Sequence, residues 1–260
     1  MPNSLHQIGA IAKNTFREAI RDRILYNLVV FVLLITACAI LLGDLTGGQE
    51  ARTIVNIGLN ALLFFGVFIA IFVGVGLVSK ELEKRTVYAM FAKPVRRGDF
   101  IIGKYLGLCL TLSVNVLVMG AGVSLALLWV KAFGLAASIW PAVFLIFLEL
   151  CIITSVSILF SSFSSPALSA LLTFLVFVIG HLSSSLRELA AGLGSPAAAY
   201  FFDLIYYLLP NLAHFSFRSE AAVGLEPSMA MIASAVVYGL IYVVIMLVLT
   251  ITVFNRRNFK

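Results

Sequence analysis

The residues that could carry chemistry are few, and most of them lie inside long apolar runs. Glu149 is the one acidic side chain deep in such a run, and His181 lies near the end of another. A charge at the centre of a bilayer costs roughly 3 kcal/mol on insertion scales, so such groups usually face a bundle interior or a wet cavity. For Glu149 two interpretations stay open, a residue of a translocation or proton-linked path and a protonated or hydrogen-bonded side chain at a helix or subunit interface. His181 is interpreted as a packed, hydrogen-bonded side chain.

The remaining candidates for catalysis or metal binding are weak. Cys38, Cys109 and Cys151 all fall in apolar runs, and their spacing predicts neither a disulfide nor a metal site. Neither a Ser/His/Asp set nor a pair of carboxylates occurs at the borders of the apolar runs. Catalysis by this chain alone is therefore not expected.

One match to a phosphate-binding loop fails on its context. Residues 98–104 fit G-x-x-x-x-G-K, but Tyr105 follows where a magnesium-binding Ser or Thr is needed. The stretch has no strand before it and continues into an apolar run, so its amides are not expected to wrap a phosphate. Gly103 and Gly107 are better explained by close helix packing.

The composition is that of an integral membrane protein. Of 260 residues, 62% are hydrophobic and only 12% are charged, whereas soluble domains carry about 25% charged residues. The net charge of +6 does not indicate nucleic-acid binding, because the basic residues lie at the borders of apolar runs. The predicted fold is all-α, with six membrane spans at about residues 24–43, 54–79, 101–130, 139–160, 167–186 and 229–254.

The positions of the basic residues predict that both termini are cytoplasmic. Fourteen of the eighteen Lys and Arg residues fall before the first span, in the connection at residues 79–104, or after span six. The other four are Arg52, Lys131, Arg187 and Arg218. Because Lys and Arg near span ends resist translocation, the regions that hold the fourteen are predicted to be cytoplasmic. The regions that hold the other four then lie on the outer side.

Residues 1–23 form a separate unit, with an amphipathic helix predicted over residues 4–23. Its apolar side chains recur at helical spacing and are Leu5, Ile8, Ala12, Phe16 and Ala19. A helix of this kind lies along a membrane surface with its basic face toward anionic headgroups. That interpretation is favoured over a solvated helix leading into the first span. Residues 24–260 make up the six-span domain.

The connection between spans five and six is predicted to hold short outer helices. Residues 196–210 are apolar but span only about fifteen positions and contain Asp203, which suits a re-entrant or interfacial helix better than a crossing. The cluster Tyr200, Phe201, Phe202, Tyr206 and Tyr207 is interpreted either as an interfacial belt or as an outer gate. With Glu149, the candidates for a translocation path are Asn56, Asn60, Tyr206 and Tyr207, and the two asparagines are equally well explained as hydrogen-bonding links between helices.

The densely charged connection at residues 79–104 is the feature that organises the chain. Residues 81–92 are good helix formers, and Val87, Met90 and Phe91 share one face. Pro94 ends this helix, and Asp99 is predicted to be the N-cap of span three. A short amphipathic helix in the cytoplasm favours contact with a partner over the alternative of a lipid-headgroup anchor.

This order of features resembles the membrane subunits of ABC-2 type ATP-binding-cassette exporters. Those subunits follow span two with E-x-x-x-G-T, an apolar run, P-(V/I)-(S/R)-R and a final G-K. The matching residues here are Glu81, Thr86, Val87, Met90, Phe91, Pro94, Val95, Arg96, Arg97, Gly103 and Lys104. Arg85 departs from the pattern, where the family usually has Gly. The basic N-terminal helix, the outer helical pair and the basic C-terminus extend the resemblance over essentially the whole chain.

The resemblance implies a permease that forms the translocation path with a second copy of itself, a homodimer being favoured over a heterodimer. ATP and Mg²⁺ would be bound by a separate ATPase subunit, so the chain itself holds no cofactor and is no enzyme. The coupling contact would use Glu81, Arg85, Thr86, Val87, Tyr88, Met90, Phe91, Pro94, Arg96 and Arg97. The implied location is the bacterial inner membrane.

Two other classes of protein also fit parts of this pattern. A secondary transporter or channel usually shows internal repeats, interrupted helices and several intramembrane ionisable groups, and this sequence offers only Glu149. A membrane anchor of a partner complex, doing mechanical work without moving a solute, also fits the pattern.

Overall fold

The computed structural model describes residues 4–19, 30–31, 34–35, 37–38, 41, 49–83, 96–192 and 196–256, and every regular element among them is a helix. In chain order these are α1 (Ser4–Ala19), α2 (Glu50–Glu83), α3 (Arg97–Trp129), α4 (Phe133–Ser138), α5 (Trp140–Ser161), α6 (Pro166–Gly192), α7 (Pro196–Leu208), a 3-10 turn (Leu212–Phe215), α8 (Arg218–Ala222) and α9 (Met229–Arg256).

Five helical stretches in the described residues are long and apolar enough to cross a membrane. They are Glu50–Gly76, Arg97–Trp129, Phe133–Ser161, Pro166–Ser183 and Met229–Arg256. The predicted first span, residues 24–43, lies mostly outside the described residues. The chain is thus a multi-pass membrane protein, and six spans with both termini inside stay a prediction.

Helix α5 lies at the centre of the bundle. It packs against α2, α3, α6 and α9, and its side chains are buried nearly all round. A helix that is apolar on every face is one that neighbours surround. Glu149 therefore belongs to the helix with the least access to lipid or water.

Two predicted boundaries are wrong. Asp99 is not the N-cap of α3, because the helix begins at Arg97 with Arg96 in the capping position and without a side-chain capping bond. Asp99 lies in the first turn instead, where a carboxylate is favoured by the positive end of the helix dipole. Residues 131–138, which the predicted bounds of spans three and four leave as an outer loop, are largely the short helix α4, and the left-handed backbone of Lys131 (φ 60°) separates α4 from α3.

Helix α1 packs along α3 at a crossing lined by glycine, which confirms the packing role predicted for Gly103 and Gly107. A Cβ placed on Gly107 would lie 2.6 Å from the carbonyl oxygen of Ala12 and 2.6 Å from Cβ of Thr15. Thr15 and Ala19 are buried at this contact, whereas Leu5 is 82% exposed. The predicted apolar face of α1 is therefore covered in part by another helix of the same chain.

The two ends of the bundle are fixed by contacts between distant parts of the chain. We call one the Arg97 end, where the Arg97 Nη1 atom donates to the carbonyl oxygens of Phe254 (3.1 Å) and Asn255 (3.2 Å) at the end of α9. We call the other the Arg218 end, where α8 packs against α2. There Gly180 of α6 approaches Leu212 of the 3-10 turn closely.

Candidate functional site

Two polar side chains meet inside the bundle near the Arg218 end. Glu149 of α5 is 0% exposed, and His181 of α6 places its Nε2 atom 3.5 Å from Oε1 of Glu149. Neither carboxyl oxygen of Glu149 accepts a hydrogen bond from any residue that the structure describes. A buried polar group left in this condition is costly, so it calls for an explanation.

A third polar group, Arg218 at the start of α8, completes the cluster. It lies with His181 on the wall of one cavity. The Nη2 atom donates to Oγ of Ser216 at 3.3 Å, while the buried Nη1 atom has no hydrogen-bond partner within the described part of the chain. Within the described residues the cluster is thus incompletely hydrogen-bonded.

The cluster borders a cavity of about 590 Å³ between α2, α6 and α8. Its lining residues are Asn60, Ala61, Leu63, Phe64, Phe65, Phe177, Val178, His181, Leu182 and Arg218. The wall is therefore apolar and aromatic, with polar side chains from three different elements. Ligand pockets in proteins are mostly apolar with a few placed polar groups, and they occupy about 300–1,000 Å³.

The sequence between α7 and α9 explains how Arg218 reaches this place. The chain leaves α7, passes close against Gly180 at Leu212, and buries Leu212 and Phe215 completely. Burial of these two side chains directs the chain toward α2. Arg218, three residues after Phe215, begins α8, which packs against α2. One turn of α6 brings Phe177 against the His181 ring, with ring centroids 4.8 Å apart.

The structure places the predicted path residues in different locations. Asn60 lines the cavity and donates from Nδ2 to the Asn56 carbonyl oxygen at 2.7 Å within α2. Tyr206 accepts a hydrogen bond from Asn211 Nδ2 at 3.3 Å, and Tyr207 is 74% exposed. Of the predicted set, Asn60 lines the cavity and Glu149 contacts the lining residue His181, whereas Asn56, Tyr206 and Tyr207 are not among the lining residues.

Sequence reasoning missed two members of the cluster. Arg218 counted only as one of the outer basic residues, and His181 was assigned to packing. A lone buried Glu needs a partner, and that requirement was the one available signal. It did not identify the partner, because Glu149, His181 and Arg218 are separated by long stretches of sequence.

The predicted coupling segment lies mainly outside the described residues, which end at Glu83 and resume at Arg96. Arg85, Thr86, Val87, Tyr88, Met90, Phe91 and Pro94 belong to that gap. Glu81 continues α2 rather than beginning a separate helix. Arg96 is exposed, and Arg97 bonds to the end of α9.

Residues 98–104 are helical and form part of α3, so they build no phosphate loop. Lys104 is almost completely buried, with its Nζ atom 3.7 Å from Oε2 of Glu18 on α1. The side chain that the motif would aim at a phosphate instead faces a neighbouring helix. All three cysteines are free.

A bundle of long apolar helices with a buried polar cluster defines a multi-pass membrane protein. Comparison with known families then identifies the class: the model of the ABC-2 family transporter proteins matches residues 9–259. The chain belongs to this family and is a membrane component of an ABC transporter, not itself catalytic. No curated protein matches the chain at the level that would make it a relative.

Proposed function

We propose that this chain is the permease subunit of an ABC exporter, which forms the translocation path and couples it to ATP hydrolysis by a separate ATPase. The observation that carries the proposal is that a long helix lies on each side of the predicted coupling segment. Helix α2 runs unbroken to Glu83, and α3 starts at Arg97. The segment between them joins two long helices directly.

The start of α3 is fastened to two other elements. Arg97 bonds to the carbonyl oxygens at the end of α9, and the Phe100 and Phe254 rings stack with centroids 6.3 Å apart. Helix α1 packs on the following turns of α3. A push on the coupling segment would therefore move α1, α3 and the end of α9 together.

The length of α3 supports transmission of that movement. Its 33 residues correspond to about 50 Å at the rise of an α-helix, more than the hydrocarbon core of a bilayer. Closure of the ATPases at one end can then be converted into rigid-body rocking at the other. Val87, Tyr88, Met90 and Phe91 would supply buried contact in a groove of the ATPase, and Arg85 and Arg96 would pair with charges at its rim.

The full assembly that we propose contains two permease copies and two ATPase subunits in the bacterial inner membrane. ATP and Mg²⁺ bind to the ATPase. A homodimer is favoured over a heterodimer, and export over import, both by resemblance to ABC-2 exporters. The path would run along the bundle past the cluster of Glu149, His181 and Arg218.

The test is copurification of the ATPase from native membranes with a double substitution in the coupling segment. Met90→Asp with Phe91→Asp places two charges on its apolar face, so the ATPase should be lost from the preparation while the permease still inserts. A tagged wild-type chain should retain a stoichiometric ATPase, identified by mass spectrometry and by hydrolysis of ATP.

The matched control is Lys93→Gln, which changes the same segment without placing a charge on that face. It should retain the ATPase. An ATPase that copurifies equally with the double variant would refute the coupling role. A wild-type preparation without any ATPase would refute the exporter.

A further inference from the structure

We propose that the cavity between α2, α6 and α8 is a binding site for an amphipathic anion, a compound with one acidic head group and an apolar body. Arg218 and His181 would hold the head group, and the aromatic wall would hold the body. The first reason is the composition of the cavity wall. Most of the described side chains of the wall are hydrocarbon or aromatic, and the two titratable ones among them both carry N–H donors.

The sign of the ligand's charge follows from which groups reach the cavity. Glu149 is fully buried and contacts His181 from the bundle interior, and it does not contribute to the lining. A ligand in the cavity therefore meets an arginine and a histidine rather than the carboxylate. Among the described lining residues an organic cation would find no carboxylate, whereas an oxyanion would find donors.

The hydrogen-bonding state of Arg218 points in the same direction. Its Nη1 atom is buried and has no partner among the residues that the structure describes. A guanidinium presents its donors in a planar fork that matches a carboxylate or phosphate with two parallel bonds. A head group at this position would satisfy a buried donor that is otherwise left unsatisfied at a cost.

The apolar body of the ligand would lie against three phenylalanines. Phe64 and Phe65 of α2 and Phe177 of α6 line the cavity. The His181 ring, next to Phe177, and the Asn60 amide mark the polar portion. The volume of about 590 Å³ lies within the range of pockets that hold a drug-sized molecule.

Binding at this site does not depend on the partner ATPase, whereas identification of the bound compound as the transported one rests on the proposed function. The two can therefore fail separately. Loss of ATPase copurification tests the transporter assignment, and binding to the purified permease tests the cavity.

The experiment is photolabelling of the full-length protein in nanodiscs of phosphatidylcholine. The probes are a dodecanoate that carries a diazirine near its tail, its methyl ester, and the corresponding dodecyl trimethylammonium. The carboxylate should label residues of α2 and α6 that line the cavity. Labelling of these residues by the ester and by the cation should be at least about tenfold weaker, because a hydrogen bond to a charged group raises affinity by about tenfold or more.

Four variants assign the effect to the site. Arg218→Gln and His181→Gln should each reduce carboxylate labelling about tenfold, since each removes a donor of the head-group site. Ala61→Phe should reduce labelling by filling the volume while leaving every charge in place. Arg52→Gln removes an exposed arginine of α2 that does not line the cavity, and it should label like wild type.

Competition distinguishes two sources of the anion. Displacement of the probe by free dodecanoate but not by phosphatidylglycerol in the nanodisc supports a soluble amphiphile. Displacement by phosphatidylglycerol supports the acidic head group of a membrane lipid. Equal labelling by the three probes, or labelling that survives in Arg218→Gln and Ala61→Phe, overturns the proposal. So does the absence of labelling from the cavity, as would follow if a second copy filled it.

Discussion

Arg97 shows how one side chain can tie two distant parts of a membrane protein together. Its guanidinium donates to two of the last carbonyl oxygens of α9, which a helix end leaves without partners inside the helix. A cation at a helix C-terminus also interacts favourably with the helix dipole. Arg97 is therefore bound to its own chain, and Arg96, which is exposed, remains the better placed of the two for contact with a partner.

Arg97→Gln should loosen the end of α9. The change removes charge-assisted hydrogen bonds of about 1.5–3 kcal/mol, so the transition in thermal unfolding should fall and amide exchange should increase over residues 250–256. Arg96→Gln is the matched control and should change neither, because its side chain is exposed. Equal protection of residues 250–256 in the two variants would show that the Arg97 contact contributes little.

The same scale shows what the sequence could and could not predict about the site. Glu149 was found because a lone carboxylate stands out in an apolar run. Its partners His181 and Arg218 were not found. The contact between α5 and α6 and the return of the chain to α2 are tertiary contacts, and no local sequence pattern predicts them. Asp99 was misplaced for a related reason. Capping propensity is a local preference, and α3 begins two residues earlier, where Arg97 bonds to α9.

At the scale of the helices, the crossing of α1 over α3 is the contact most sensitive to volume. The backbone of α1 at Ala12 comes so close to Gly107 that a side chain there has no room. Small residues allow such close approach of two backbones, and in membranes they take the role that apolar burial has in water.

Gly107→Ala should displace α1 from α3. The added methyl group would meet a backbone carbonyl that cannot rotate away, with an expected cost of about 1–3 kcal/mol. Spin labels on Lys13→Cys and Leu110→Cys, in a background with the native cysteines replaced, should report a longer and broader distance distribution.

Gly9→Ala on α1 is the matched control, since nothing lies within 4 Å of a Cβ at that position. It should leave the distance unchanged and add up to about 1 kcal/mol of helix stability. An unaltered distance in Gly107→Ala would mean that α1 can shift along α3 without separating from it.

For the molecule as a whole, the amphipathic and apolar patterns predicted the helices well where the structure describes them, but not their pairing. The long apolar runs gave α2, α3, α5, α6 and α9, since period and length are local properties. The docking of α1 was foreseen only as membrane contact, because an apolar face does not reveal whether lipid or protein will cover it.

Topology is the property of the whole molecule that can be tested directly. In a background without native cysteines, Leu225→Cys should react with an impermeant maleimide from the outer side only, and Ser165→Cys from the cytoplasmic side only. Both positions are exposed. One crossing, α6, separates them if α7 stays on the outer side, as its 13 residues predict.

Labelling of both positions from the same side would mean that α7 crosses as well. The C-terminal arginines would then lie outside, and the six-span arrangement would be wrong. Labelling of Lys13→Cys from the cytoplasmic side provides the reference for orientation.

The packing of α1 on α3 also has a consequence for the synthesis of the protein. Thr15 leaves the ribosome 92 residues ahead of Gly107, the position it contacts. At about 5–20 residues per second, some 5–18 s of synthesis pass before that partner exists. During this interval the nascent α1 has only the membrane surface on which to place its apolar side chains. Its amphipathic character therefore suits two successive environments, first the lipid interface during translation and then the groove of α3 in the finished fold.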